Sequence, residues 1–171
     1  MTRYVAFLRG VSPMNCRMPQ LKRCFEAAGF TEVKTLLSSG NVAFSARSTS
    51  VAALEKKARK AMQKHLDRVF QTIVRPAAHL QSLIDADPFA EFDLPKNAKR
   101  VVTFLPRPYE GSITLPVSRD QASILKLEGA EVFSVYVPNE KGPVFMALLE
   151  RTFGAAITTR TFDTVRKCAV A

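Results

Sequence analysis

Tyr4-Val5-Ala6-Phe7-Leu8 is an unbroken apolar run closed by Arg9-Gly10. Successive side chains of a strand point to opposite faces, so Tyr4, Ala6 and Leu8 face one way and Val5 and Phe7 the other. An antiparallel sheet with one wet face alternates apolar and polar residues. This run does not alternate, so both of its faces need cover. A sheet open on one side is therefore excluded as the whole fold.

The residues that follow supply start and stop signals in a fixed order. Val11 to Met18 is a loop with Pro13 and Asn15, and Pro19 suits a first helical turn, where its missing N–H costs nothing. Leu21, Cys24, Phe25 and Ala28 recur at helical spacing until Gly29 stops the helix. Val33–Leu37 and Val42–Ser45 flank Ser38-Ser39-Gly40-Asn41, a hairpin in which the Gly-Asn pair tolerates positive φ. Thr49 or Ser50 caps a helix running to about Leu66, and Arg68–Val74 forms a strand closed by Pro76. The order β-α-β-β-α-β is the ferredoxin-like arrangement.

Beyond Pro76, Ala77–Ala86 reads as a helix and Arg100–Leu105 as a strand. Pro106, Pro108, Gly111 and Pro116 mark a loop-rich crossing. Ile124–Leu127 and Val132–Val137 form a hairpin about Glu128-Gly129, Val144–Phe153 a helix stopped by Gly154, and Thr164–Ala169 a short last helix. Strand, crossing, hairpin and helix echo the first half without visible sequence identity. The expectation is an α+β protein: a ferredoxin-like βαββαβ N-terminal lobe (residues 1–75) packed on a second α+β lobe (76–171), the two sharing one core and forming one compact unit.

With 171 residues and 47% hydrophobic content, the chain can bury a core without staples. No run reaches the roughly 18 apolar residues of a membrane helix, and no signal-peptide pattern opens the chain. Cys16, Cys24 and Cys168 form no C-x-x-C pair and no metal spacing. Free thiols, a cytoplasmic address, no membrane partner, no metal and no cofactor are the expectations. The net charge of +10 is lopsided. Residues 1–75 hold 14 Lys/Arg against 4 Asp/Glu, whereas 76–171 hold 11 of each. Such asymmetry bears on partners rather than on fold.

On a helical wheel of the second helix, Lys56, Lys57, Arg59, Lys60, Lys64 and Arg68 share one half, offset only by Glu55 and Asp67. Leu54, Ala58, Ala61, Met62 and Leu66 fill the other half, with His65 at the centre of that apolar arc. The cations form a candidate platform for phosphate backbones, against the plainer alternative of a solvated face. Aromatic interleaving is missing, since the third strand offers only Phe44 with Val42 and the chain has no Trp, which argues against sequence-specific RNA reading. A second candidate is an anion site. Arg9, Gly10 and Asn15 lie in the turn into the first helix, Ser38, Ser39, Gly40 and Asn41 in the hairpin, and Thr159 and Arg160 near the end. No G-x-G-x-x-G or Walker-type G-K-[ST] supports it. Ser38 and Ser39 lack a G-x-S-x-G setting, neither His65 nor His79 has a nucleophile at a recognisable spacing, and Asp85-Ala86-Asp87 runs into Pro88 as a helix end. No catalytic residue is assigned, and whether the chain is an enzyme is left open.

The opening Tyr4–Val11, the blocks Gly29-Phe30-x-x-Val33-x-Thr35 and Ser38/Ser39-Gly40-Asn41-Val42-x-Phe44, and the closing Thr158-Thr159-Arg160-Thr161-Phe162-x-Thr164-Val165-x-Lys167 resemble the bacterial domain of unknown function 1697 family. The resemblance implies an α+β fold with a ferredoxin-like N-terminal part and implies no activity. Ser12-Pro13-Met14-Asn15 stands where the family usually has Asn-Val-Gly-Gly, so the loop lacks the glycine freedom to wrap a phosphate. Thr161-Phe162 likewise stands where Asn-Trp is usual.

The leading expectation is a module that binds a polyanion, nucleic acid first, without sequence specificity. The alternatives are a small enzyme holding an anionic substrate through Arg9, the Ser38–Asn41 turn and Arg160, and a protein-interaction domain.

Overall fold

The computed structural model describes residues 1–138 and 144–171. The chain is α+β and divides into two units, residues 1–82 with 166–171 and residues 83–165.

In the first unit the elements are β1 (Thr2–Arg9), α1 (Met18–Ala27), β2 (Thr31–Leu36), β3 (Asn41–Ala46), α2 (Val51–His65), β4 (Gln71–Pro76) and α3, which spans Ala77–Asp85. The four strands form one antiparallel sheet in the order β2-β3-β1-β4, the ferredoxin-like order expected from the sequence. Val5 and Phe7 are as fully buried as Ala6 and Leu8, so both faces of β1 are withdrawn from solvent. On the Tyr4-Ala6-Leu8 face, α1 contributes Leu21, Cys24 and Phe25, and α2 contributes Leu54, Ala58, Ala61 and Met62 to one core. Phe30 stacks on Phe44 with ring centroids 4.2 Å apart, and Tyr4 and Phe25 each meet Phe44 at 5.8 Å. Phe44 is thus a core residue beneath helices, not a base platform. On β1, Arg3 Nε donates to the Ala171 carbonyl at 3.1 Å, tying down the chain's last residue.

The hairpin differs in detail from its sequence reading. Positive φ falls on Leu37 (+58°) and Gly40 (+85°), while Asn41 is a buried residue of β3. Gly40 is required twice over. A Cβ there would lie 2.9 Å from Val11 Cγ2 and 3.0 Å from Leu8 Cβ, and the φ is costly for any other residue. β4 also begins at Gln71, not Arg68, because the Leu66–Phe70 segment is spent on leaving α2.

In the second unit the strands are β5 (Lys99–Phe104), β6 (Val117–Arg119), β7 (Ala122–Glu128), β8 (Glu131–Tyr136) and β9 (Thr158–Thr161). Helix α4 (Val144–Phe153) precedes β9, and α5 (Phe162–Ala169) follows it directly, its last residues belonging to the first unit. The sheet order is β6-β7-β8-β5-β9. Sequence reading missed β6 and β9. Both are short edge strands, three and four residues long, with mixed polar composition that carries no strand periodicity. Ile124, Val132, Val101 and Leu105 meet Leu148 and Leu149 of α4 in this unit's core.

Candidate functional site

Helix α2 starts as its sequence demands: the Ser50 side chain accepts the Ala53 amide at 3.2 Å. Its buried side is Leu54, Ala58, Ala61 and Met62, and Lys56, Lys57, Arg59, Lys60 and Lys64 all stand exposed on the rest of the surface. Of these cations, Glu55 feels the charge of Arg59 and not of the four lysines. Its Oε2 turns inward and accepts the Val74 amide at 2.9 Å, capping a donor of the edge strand β4. Burial pushes the Glu55 carboxyl above its ordinary range, opposed by the Val74 N–H and by the Arg75 and Arg59 charges. Two of the six cations are drawn toward rings: Lys57 Nζ sits 5.5 Å from the Phe30 centroid, and the Arg68 guanidinium 5.0 Å from that of Phe70. Lys56, Lys60 and Lys64 remain as a row one turn apart. Among the described residues, no ion pair or hydrogen bond holds their side chains.

His65 is exposed, which corrects its placement at the centre of the apolar arc. The helix ends at His65, and extended Leu66 (φ −121°, ψ 161°) takes the inward position instead.

The anion candidates of the first unit do come together. Phe7 pairs with Asn41, and the Leu8 amide donates to the Gly40 carbonyl at 2.8 Å, which places the Ser38–Asn41 turn beside Arg9 and Gly10. The polar groups of Asn15, Asn41 and Ser39, however, are spent locally. Asn15 Oδ1 accepts the Ser12 amide at 2.9 Å and its Nδ2 donates to the Gly10 carbonyl at 2.8 Å. The Met14 amide donates to Ser12 Oγ, and the Asn15 and Cys16 amides to the Ser12 carbonyl. Asn41 Nδ2 donates to the Leu36 carbonyl and to Ser39 Oγ. The loop is thus stapled by its own hydrogen bonds, with those amides turned inward rather than toward an anion.

Thr159 and Arg160 belong to β9 of the second unit. Thr159 Oγ1 shares a 2.9 Å hydrogen bond with Thr103 Oγ1, and an Arg160 guanidinium N–H donates to the Thr159 carbonyl at 2.9 Å. This unit also has a cavity of about 480 Å³ between the 92–98 segment and β7–β8. Among the described residues its lining is mostly apolar, with Asp93 as the single charged residue. Sequence reading missed it because its walls come from distant segments and carry no motif.

The chemistry available elsewhere is limited. All three cysteines are buried and outside any disulfide. Burial, and then the nearby Cys16, push the Cys24 thiol up to about 11, leaving on the order of one thiolate in ten thousand at neutral pH. Among the described residues, no His/Cys/Asp/Glu group has the arrangement of a metal site, and no helix is long and apolar enough to cross a membrane.

The conserved bacterial protein SP0830 from Streptococcus pneumoniae has a similar structure, with a TM-score of 0.73 over 99% of this chain and 97% of that one at 19% identity. At that identity the likeness concerns the fold alone. No curated protein matches the chain. The family model for proteins of unknown function, DUF1697, matches residues 1–133 and stops short of the Thr158–Lys167 segment. Together with the Arg9-Gly10 strand end and the Gly40-Asn41 hairpin just described, this match places the chain in the DUF1697 family.

Proposed function

We propose that the chain binds polyanions, nucleic acid foremost, through the exposed face of α2 and without sequence specificity. The observation that carries this reading is the unpaired row Lys56-Lys60-Lys64. Like charges four residues apart destabilise a helix by about 0.2–0.5 kcal/mol per pair. With Glu55 turned to the edge of the sheet and to Arg59, the helix provides no counter-charge to the lysine row. A line of phosphates would relieve that repulsion and release counterions. Among the described residues no exposed aromatic side chain accompanies the row, so sequence preference is not expected.

The test is a salt titration. Duplex DNA binding should fall with a log-log slope of about −0.9 per phosphate contact. Replacing Lys56, Lys60 and Lys64 with Gln should flatten the slope by about 2–3 units. The fold should survive, because Gln has nearly the helix propensity of Lys. Wild-type binding no tighter than about 10⁻⁴ M at physiological salt would reduce the row to a solvated face. An unchanged slope in the triple variant would move the contact off α2.

A further inference from the structure

Five large apolar side chains are strongly exposed among the described residues: Met1, Met14, Leu37, Val69 and Val170. Met1 and Val170 are at the chain ends. The other three come from loops more than twenty residues apart in sequence, yet the topology gathers them at one end of one sheet. Met14 follows the C-terminal end of β1. Leu37 sits in the β2–β3 turn, which reaches β1 through the Phe7–Asn41 pairing, and Val69 precedes β4, whose Gln71 pairs with Arg9. Helix α2 points its last turn, with Lys64, toward the same end, where Arg17 and Arg68 are also exposed. Asp67 is the only carboxylate within these three loops and the last turn of α2.

One of these tips is strained and another stands almost wholly in water. Met14 is 94% exposed on a loop that Asn15 holds rigid at both of its polar ends. Leu37 holds φ at +58° with half its surface in water, where Gly or Asn would relieve both penalties. A strained backbone that presents an apolar side chain outward is a mark of a contact surface.

We infer that this end of the sheet contacts the unstacked bases of single-stranded nucleic acid, the lysine row of α2 leading the phosphates toward it. The inference rests on the polyanion reading above. The occupant follows from chemistry: a single strand offers apolar base faces beside phosphates, a duplex hides those faces, and heparin has charge without bases. Aliphatic tips touch any base alike, so the preference is for strandedness and not for sequence.

The test uses the full chain with a short oligothymidylate, a duplex of equal length, and heparin, each titrated at several salt concentrations. In the variant Met14→Ser/Leu37→Asn/Val69→Thr, Asn accepts the left-handed backbone at 37 and Thr nearly matches the shape of Val, so the fold is retained; a thermal melt checks this. The variant should lose about tenfold in affinity for the oligothymidylate, the three aliphatic tips together matching the lower range of one aromatic base contact. Its salt slope should not change, and its affinity for heparin should hold. Unchanged oligothymidylate affinity, or an equal loss on heparin, overturns the base contact and leaves the phosphate track standing. Absence of salt-dependent binding of all three probes by the wild type overturns both.

Discussion

The two units weave one strand order from different crossovers. In the first, β1 is flanked by the β2–β3 hairpin and by the returning β4; in the second, β5 is flanked by the β7–β8 hairpin and by the returning β9. Each returning strand runs straight into a helix, α3 or α5. The first crossover is where they part. Residues 10–30 build α1, whereas residues 105–121 contain Pro106, Pro108 and Pro116, which cannot continue a helix, and form the short edge strand β6 instead. The hairpin and the final return therefore suffice for this strand order, and the first connection is free to vary. The charge follows the same division. The first unit holds 16 of the 25 Lys/Arg and only 4 of the 15 Asp/Glu, so the unit with a helix in its first crossover also carries the basic excess.

The largest expected effects test whether the two sheets are equivalent at their centres. Phe7 and Phe104 are both completely buried on central strands. Either change to Ala should cost about 3–5 kcal/mol in denaturant melts. A loss below about 1 kcal/mol for one of them would break the equivalence and place that residue in a site able to collapse.

The hairpin turns should differ. Gly40 has a φ of +85° and no room for a Cβ, whereas Gly129 has a φ of +58° with open space around it. Gly40→Ala should cost about 2–4 kcal/mol, combining left-handed strain with overpacking. Gly129→Ala should cost about 1–2 kcal/mol, from strain alone. Equal costs in chemical denaturation would mean that the Val11–Leu8 contact yields readily, and that the first turn is no more constrained than the second.

The smallest effect concerns Glu55 and separates the basic unit's inner carboxylate from its outer lysines. Its folded pKa is raised, chiefly by burial. The folded state therefore favours the protonated form. That contribution is fully present below the unfolded carboxyl range and is lost as pH rises through the folded value. Glu55→Gln keeps an acceptor for the Val74 amide but cannot titrate. It should remove this loss from the stability–pH curve, leaving the variant level with the wild type near pH 3 and slightly more stable at pH 7. A variant less stable at pH 7 would show that the Arg59 and Arg75 charges outweigh burial.

The sequence by itself determined the first unit's element order, the double burial of β1 and the position of its basic helix. Each of these is local: Pro19, Gly29, Gly40 and Ser50 punctuate the chain, and a run without alternation has one reading on a pleated strand. The same local rules yielded the second unit's hairpin and its α4 helix, but not β6 or β9, whose few polar residues become strands only because β7 and β5 offer them edges to pair with. Tertiary structure alone decided what the polar side chains do. Glu55 sits among lysines in sequence, yet its partner is the Val74 amide nineteen residues away. Asn15 and Asn41 have the composition of an anion loop but close their own turns. Met14, Leu37 and Val69 share no periodicity, and only the antiparallel registry of four strands sets them at one end. Backbone propensity acts over a few residues. The partner of a carboxylate or the neighbour of an exposed side chain is set by strand pairing across the whole sheet, and that information is not local.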